Sequence, residues 1–528
     1  MSTIIGIHFG GHDSSAALIK DGEIICAIEE EKFTGIKAIW TTWQPPRLTL
    51  AYIKNKYGID FDNVDHIVFA NPRHYGMEDL MPNSQREKCD SISHHKCHAL
   101  GAYFTSGFEG KTIALSHDGQ GNRSRGKIYL CEDGNYEEIS SSLIPQTASL
   151  AGLWGRFTML FGWTMLKDEG KLVGLAPHGK LNQRVYNLLK KIFKYDGNLN
   201  FGPSNWEALW EYSFNHMLFT ENFFNSIENK RDTAYTLQVF TEEVFGELLS
   251  DLHKRYPDYK NITFSGGLFA NVKLNQYINE LGYFDNIYIH PAMGDGGLAL
   301  GAAICKANEL GEFPTSKRLD NIFFGSSYSN YDWLSEISKH GQSITYETMS
   351  YEKVAQLIHE GNVVGVFMGG TEYGPRALGN RSIVVRPTDP ETHQKLNEKL
   401  RRTEIMPFAP SVLSEYINDV FYADKSLYTA EFMTICYNTR EEWIDKIPAV
   451  IHKEDGTARP QNVIKEKNPT FHRIISEYHK LSGVPVVLNT SFNAHGEPIN
   501  NYPHQVIKHL LDDSVDYIVT EDYILKKN

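Results

Sequence analysis

The chain has 528 residues, 41% hydrophobic and 22% charged, the balance of a globular protein long enough for more than one domain. Its formal net charge of −13 opposes binding to the phosphate backbone of nucleic acid, which takes clustered Lys and Arg, yet leaves room for a small anionic substrate in a locally basic pocket. No apolar run reaches the roughly 18–20 residues of a membrane span, and the scattered cysteines form no CxxC pair, so a reducing, cytoplasmic setting is expected, with no leader in MSTIIGIHFGG.

Residues 4–30, IIGIHFGGHDSSAALIKDGEIICAIEE, and 112–139, TIALSHDGQGNRSRGKIYLCEDGNYEEI, share one plan. Each runs from an apolar strand through a loop carrying His-Asp and Gly to a second strand, an Asp-Gly turn and a third strand. Asp-Gly between apolar runs signals a hairpin, because Gly accepts positive φ. Two copies predict an internal duplication, with two lobes clasping a site. Between them lies SHHKCHA (93–99), where His94 and His98 fall on one helical face. Two imidazoles at i and i+4 can grip one metal ion. On this stretch alone that reading and a helix start rich in surface histidines stand level.

Residues 181–260 are predicted helical and amphipathic, as in NQRVYNLLKKIFKY and TAYTLQVFTEEVFGELLSDLHKRY. NITFSGGLFANVKLNQYI and NIYIHPAMGDGGLALGAAICKANEL then each read as strand, Gly-rich turn and helix. Such helix starts suit an anion, and tight packing turns explain them equally when seen singly. A fresh strand–helix–strand unit begins after a boundary placed near 340, giving domains 1–340 and 341–528. EGKT (109–112) is no P-loop, since Thr105 stands where its first glycine belongs. Asp118 and Asp295 each follow a strand. With His94 and His98 they would make a mixed N/O donor set suited to iron, zinc or manganese, although each aspartate alone reads as a turn residue. In the last third, Arg376, Arg381 and Arg386 in YGPRALGNRSIVVRP, Lys399, Arg401 and Arg402, and Asn489, Ser491, Asn493 and Glu497 predict a phosphate- or carboxylate-binding end of a sheet.

In combination, GGHDSSAALIKDGEI, EEEKFTGIK, HHKCHALGAYFTSGF, DGQGN, EGKLVGLAPHGK, SGGLFANVKLN, GDGGLALGAA, EYGPRALGNRSI, MPFAPSVL and NTSFNAHGEPI resemble the O-carbamoyltransferases that tailor nodulation factors and antibiotics. The resemblance implies a mixed α/β protein. Its N-terminal Kae1-like domain would have the duplicated actin/Hsp70/sugar-kinase architecture, and its C-terminal YrdC-like domain an α/β twisted sheet with a basic cavity. It implies that carbamoyl phosphate and ATP, with Mg2+, form carbamoyladenylate in the second domain, releasing phosphate and pyrophosphate. The first domain would then pass the carbamoyl group to a hydroxyl of a small acceptor (a sugar, natural product or nucleotide), releasing AMP. By the same resemblance His94, His98, Asp118 and Asp295 would hold Fe2+ or another divalent transition metal. His12 would take the acceptor's proton, and Gly266, Gly267 and Asn271 would line the nucleotide. Arg376, Arg401 or Arg402, Asn489 and Ser491 would surround carbamoyl phosphate and ATP, and His95 is left over, either a neighbour of the site or facing solvent. The chain departs from many relatives at Gly370 and Met406, where they carry arginine. Rival readings are a threonylcarbamoyl transferase acting on tRNA, which the acidic charge disfavours, a sugar kinase making ADP, and a nucleotide-binding regulator without turnover. Aromatics beside the helical insert, such as Trp206 and Trp210, are candidates for shaping the acceptor pocket, with core packing as the default.

Overall fold

The computed structural model describes residues 2–41, 44–70, 81, 83–122, 124–140, 149–201, 223–403 and 405–528. Trp206 and Trp210 lie outside the described residues. The chain forms two compact units, one of residues 1–23, 40–45 and 57–319, the other of 24–39, 46–56 and 320–528.

The first unit contains two sheets built on one plan. β1 (Thr3–His8) pairs antiparallel with β2 (Ser15–Lys20), and after β3 (Glu23–Glu29), most of which groups with the second unit, β4 (His66–Ala70) runs parallel to β1 and β5 (Cys89–Ile92) parallel to β4. The second sheet repeats this. β6 (Thr112–Gly121) pairs antiparallel with β7 (Ser124–Glu132), β7 with β8 (Asn135–Glu138), and β9 (Asn261–Ser265) and β10 (Asn286–Ile289) add in parallel, giving the order β10-β9-β6-β7-β8. The strands that open the two sheets read TIIGIH and TIALSH, so His8 matches His117. The duplication read from the two hairpins is present in topology, although its register pairs His8, rather than His12, with His117. β1 and β9 are buried almost throughout, as expected of strands covered on both faces.

Each sheet ends in a helix, α1 (His94–Thr105) after β5 and α3 (Leu298–Glu309) after β10, while the long α2 (Ile227–Arg255) lies in the helical region read from 181–260. α1 packs on β6, β7 and β9 of the second sheet, and α3 on β1, β2 and β4 of the first, so the two terminal helices meet face to face. They meet at glycines. A Cβ on Gly301 would sit 2.2 Å from the Cys97 carbonyl oxygen, and one on Gly101 would sit 3.1 Å from the Gly301 Cα. Only hydrogen side chains allow this approach, which brings the start of α1 and the loop before α3 to one point.

The second unit is an eight-stranded mixed sheet, ordered β11-β20-β19-β12-β13-β18-β14-β17. Its strands are β11 (Ile344–Thr348), β12 (Val364–Phe367), β13 (Arg381–Val385), β14 (Ala409–Leu413), β17 (Gln461–Val463), β18 (Val486–Ser491), β19 (Tyr517–Val519) and β20 (Tyr523–Lys527). Two short strands, β15 (Tyr437–Asn438) and β16 (Thr457–Ala458), form a separate ribbon. β12, β13 and β18 carry the core, with Val364, Val366, Ile383, Val384, Val486, Val487 and Leu488 inaccessible to solvent. The boundary expected near 340 falls earlier, at Leu319/Asp320. The cause is the helix Asn330–Ser338, whose Trp333 and Ile337 join the second unit's core and whose Trp333 ring meets Phe367 edge-on at 5.1 Å. The unit also takes in 24–39 and 46–56. There Glu30 accepts from the backbone N–H groups of Leu48 (2.9 Å) and Thr49 (2.8 Å) at the start of the helix Arg47–Tyr57. No helix among the described residues is long and apolar enough to cross a membrane.

Candidate active site

His94 opens α1, and its backbone N–H is capped by the Asn122 side-chain oxygen at 2.6 Å. One turn on, His98 lies beside it, ring centroids 4.7 Å apart. Asp118 comes from the end of β6 and Asp295 from the loop before α3. The four side chains each present a donor atom, all within 4.8 Å of one another. His94 Nε2 lies 3.1 Å from Asp118 Oδ2 and 3.5 Å from Asp295 Oδ1, and His98 Nε2 lies 3.3 and 3.4 Å from the same two oxygens. Ligands about 2.1 Å from a common ion in a tetrahedral or octahedral shell stand about 3.0–3.4 Å apart, so these separations fit a cation among the four.

The neighbours orient each donor. Asp118 Oδ1 accepts the N–H groups of Gly119 (2.6 Å) and Gly267 (3.1 Å), which turns Oδ2 toward the histidines. The Ser265 hydroxyl donates to the Met293 carbonyl at 3.2 Å, so its oxygen accepts His98 Nδ1–H at 3.1 Å, and in the neutral ring Nε2 is the atom with the lone pair. His98 Nε2 and Asp295 Oδ1 are buried without a hydrogen-bond partner, although buried polar atoms are ordinarily satisfied. Two bare donors facing each other in an N₂O₂ set are what a divalent cation would complete. Burial acts against every charge here, but Asp118 and Asp295 push His98 up to about 9. Asp118, likewise against its burial, is held well below the usual carboxylate range by His94 and His98. Asp295 is lowered too, by His94 and His12.

His12 stands on the far side of Asp295, its Nε2 3.7 Å from Oδ2, with Nδ1 2.9 Å from Asp13. Burial lowers its pKa, but Asp295 and then Asp13 outweigh this and raise it to about 10. Fully buried His8, which sequence reasoning passed over, donates to the His12 carbonyl at 3.2 Å and lies 3.7 Å from Asp295 Oδ2. Burial lowers it to about 4. Its signal was the inward position at the end of β1. Ser265 was also missed, and only its place at the end of a buried strand pointed to it. His95 does not face solvent: it is buried and donates to the Ser124 carbonyl at 2.9 Å, away from the four donors. Trp40, an exposed aromatic, has its ring 6.0 Å from that of His12.

The glycines and asparagine expected along a nucleotide serve inside the fold. Gly266 (φ +108) presses so close to the His117 carbonyl oxygen that a Cβ would lie 2.2 Å from it. Gly267 holds Asp118. Asn271 caps the helix Val272–Glu280 through Lys273 and Leu274, and its amide donates to Gln238 at 2.9 Å.

In the second unit the two adjacent arginines separate. Arg401 is exposed with φ +53, whereas the buried Arg402 donates to Thr490, to the carbonyl and hydroxyl of Ser491, and to Asn493, at 2.7 to 3.2 Å. Asn489, also buried, donates to Ala377 O, Ser411 and Gln461, leaving its Oδ1 without a partner. Arg381 does not join a convergent arginine cluster. Its guanidinium is fully buried 3.7 Å over Phe367 and donates to the carbonyls of Met368, Asn380, Ser326 and Gly369. Arg386 lies at the surface against His359 O. At Gly370 a Cβ would meet the Phe323 carbonyl oxygen at 2.4 Å, so an arginine there would require the backbone to move.

A duplicated α/β unit with a buried two-histidine, two-aspartate centre, joined to a second α/β unit with a polar sheet end, defines the class of a two-unit enzyme. Residues 3–83 and 75–304 match the family described as Carbamoyltransferase N-terminus, and residues 355–527 match Carbamoyltransferase C-terminus. An uncharacterised protein of Methanocaldococcus jannaschii is 36% identical over 84% of this chain and 74% of its own length. Nodulation protein NolNO of Sinorhizobium fredii is 29% identical over 98% and 79%. Nodulation protein NolO of Bradyrhizobium diazoefficiens is 30% identical over 83% and 79%. Among solved structures, the activator of the 2-hydroxyisocaproyl-CoA dehydratase from Clostridium difficile superposes with a TM-score of 0.36 at 15% identity, covering 59% of this chain and 96% of that one. The chain belongs to the carbamoyltransferase family, and it is an enzyme of carbamoyl transfer.

Proposed function

We propose that the protein is an ATP-dependent O-carbamoyltransferase working in two steps. In the second unit, water hydrolyses carbamoyl phosphate to carbamate and phosphate, and a carbamate oxygen then attacks the ATP α-phosphorus, expelling pyrophosphate and forming carbamoyladenylate. In the first unit, a hydroxyl of a small acceptor attacks the carbamoyl carbon and AMP leaves. An amide-like carbonyl is a poor electrophile until its leaving group is good, and AMP is such a group. Carbamate is labile in water, which favours enclosed sites for both steps.

The reading rests on the convergence of His94, His98, Asp118 and Asp295. These residues would hold a divalent transition metal, iron(II) by the family resemblance, which when bound supplies Lewis acidity toward a phosphoryl or carbamoyl oxygen. Asp13 engages His12 at Nδ1, so Nε2 is the atom that exchanges a proton with the acceptor hydroxyl. With Asp295 bare, His12 stays protonated at neutral pH. Neutralising Asp295 removes the larger attraction and brings the imidazole toward the range where it accepts that proton. In the second unit Arg402 orders Ser491 and Asn493 at the sheet end, and Arg376 is the arginine offered to phosphate. The test is pyrophosphate release from ATP. Release that requires carbamoyl phosphate supports the reading, whereas ADP as the sole nucleotide product rejects it in favour of a kinase.

A further inference from the structure

The loop 371–380, TEYGPRALGN, is held by two buried carboxylates. One is its own. Glu372, 1% exposed, accepts three backbone N–H groups at a single oxygen, those of Leu378 (2.9 Å), Asn380 (2.8 Å) and Arg381 (3.0 Å), which closes the loop on itself. The other comes from 345 positions earlier. Glu29 Oε1 accepts the Gly374 N–H at 2.8 Å. On the other flank, Asn489 donates to the Ala377 carbonyl at 3.2 Å. Arg376 therefore sits on a short stretch pinned at Gly374, Ala377 and Leu378, beside Tyr373, whose N–H donates to the Ile322 carbonyl at 2.8 Å; the Gly374 anchor is supplied by a side chain from outside the segment and the sheet it joins.

Glu29 is not an incidental acceptor. Its other oxygen, Oε2, and Glu372 Oε2 are both buried without a hydrogen-bond partner. An opposing charge for both is Lys32, an ammonium only 1% exposed, which lies 3.4 Å from Glu31. Burying a lysine is costly unless opposite charge surrounds it. Burial opposes this ammonium, but Glu29, Glu31 and Glu372 hold its pKa above the ordinary value. Burial pushes the Glu29 pKa up and Lys32 is the largest influence opposing this, so removing Lys32 would favour the protonated acid, and the ionised Glu29 is the better acceptor for an N–H.

We infer that Glu29 and Lys32, in the IEEEKF stretch near the N-terminus, are positioning residues for Arg376 in the adenylate-forming step. This rests on the function proposed above. Glu29 sets where the Gly374–Arg376 backbone lies, and Lys32 opposes the protonation of Glu29 that burial favours. Neither touches a reacting atom. Preorganisation of this kind governs how tightly a phosphate-binding arginine engages its ligand, and loss of it raises KM.

The experiment uses the full chain, with carbamoyl-phosphate-dependent pyrophosphate release measured against carbamoyl phosphate concentration. Bound metal and melting temperature are measured alongside. Glu29→Ala is expected to raise KM for carbamoyl phosphate at least tenfold with metal content unchanged. Glu29→Gln, which keeps an oxygen for Gly374, is expected to return KM to within about threefold of the parent. Lys32→Met is expected to raise KM severalfold, and it carries the test if Glu29→Ala does not fold. Folded, metal-replete Glu29→Ala and Lys32→Met with parental KM would overturn the inference, as would a loss of amplitude and melting temperature at unchanged KM, the mark of a purely structural role. A parent chain that releases no pyrophosphate with carbamoyl phosphate would instead overturn the two-step reading on which the inference stands.

Discussion

The close approach of α1 and α3 makes Gly301→Ala a sharp probe of the proposed metal centre. The added Cβ would lie 2.2 Å from the Cys97 carbonyl oxygen, 2.8 Å from its carbon and 3.2 Å from Cys97 Cα. Ordinary contact begins near 3.4 Å, so the two backbones must part by about 1.2 Å, and no flexible side-chain end is present to yield instead. Cys97 immediately precedes His98, and α3 begins three residues after Asp295, so the separation falls on both ligand carriers. The His98–Asp295 distance, 3.4 Å, would widen toward about 4.5 Å, whereas metal shells tolerate about 0.2 Å. Overpacking of this size costs about 1–3 kcal/mol and lowers the melting temperature by several degrees. Reconstitution with iron(II), metal analysis per chain and calorimetry read both effects. Gly170→Ala, where a Cβ meets nothing within 4 Å in the helix Glu169–Leu175, is the control and should be neutral or slightly stabilising. If Gly301→Ala binds metal stoichiometrically and melts within a degree of the parent, the helix crossing does not set the ligand geometry.

Three further outcomes are expected. Ser265→Ala frees the His98 tautomer and should weaken metal binding about 10–100-fold with little change in melting temperature; an unaltered affinity in a metal-competition titration would exclude the hydroxyl from this role. His94→Ala and His98→Ala should abolish metal retention and acceptor carbamoylation while sparing pyrophosphate release, and Arg376→Ala should do the reverse, so loss of both activities in either set of folded variants would refute the division of labour. Because His98 is raised to about 9 in the metal-free chain, it is protonated at pH 7 and must shed that proton to ligate. Apparent metal affinity should therefore climb with pH until about 9 and then level. Calorimetric titration in buffers of different ionisation enthalpy will detect the released proton, and identical heats in all buffers would contradict it.

Much of the centre was legible in the sequence because its donors announce themselves. The i, i+4 pair His94/His98 implies a shared face wherever a helix forms, and aspartates after strands in Gly-rich turns sit where the backbone bends toward a ligand. What orients those donors was not legible. Ser265 is one hydroxyl at the end of a strand, and Gly101 and Gly301 matter only once two helices 200 residues apart are known to cross. Gly266 and Gly267 suggested a nucleotide loop, and their roles within the fold, one packed on a neighbouring strand and the other donating to Asp118, were not readable locally. Arg381 illustrates the converse. A guanidinium among Gly, Pro and Asn reads like a phosphate ligand, but in the fold it is consumed by four backbone carbonyls and the face of Phe367, and nothing local separates the two uses. The second compact unit resumes at Asp320 rather than near 340 for a similar reason, since the polar stretch between contains Trp333 and Ile337, which only tertiary packing identifies as core.

The path of the chain bears on how such proteins can be recombined. It passes from one unit to the other at residues 23/24, 39/40, 45/46, 56/57 and 319/320, so neither module is a contiguous cassette. A chimaera joined at position 320 would import a carboxy-terminal half while retaining the host's residues 24–39, and unless the host also supplies an acid at the place of Glu29 the grafted Gly374 amide would have no acceptor. Compatibility between halves is thus written into about sixteen residues near the beginning of the gene product, and successful hybrids should be those in which that short stretch travels with the distal portion.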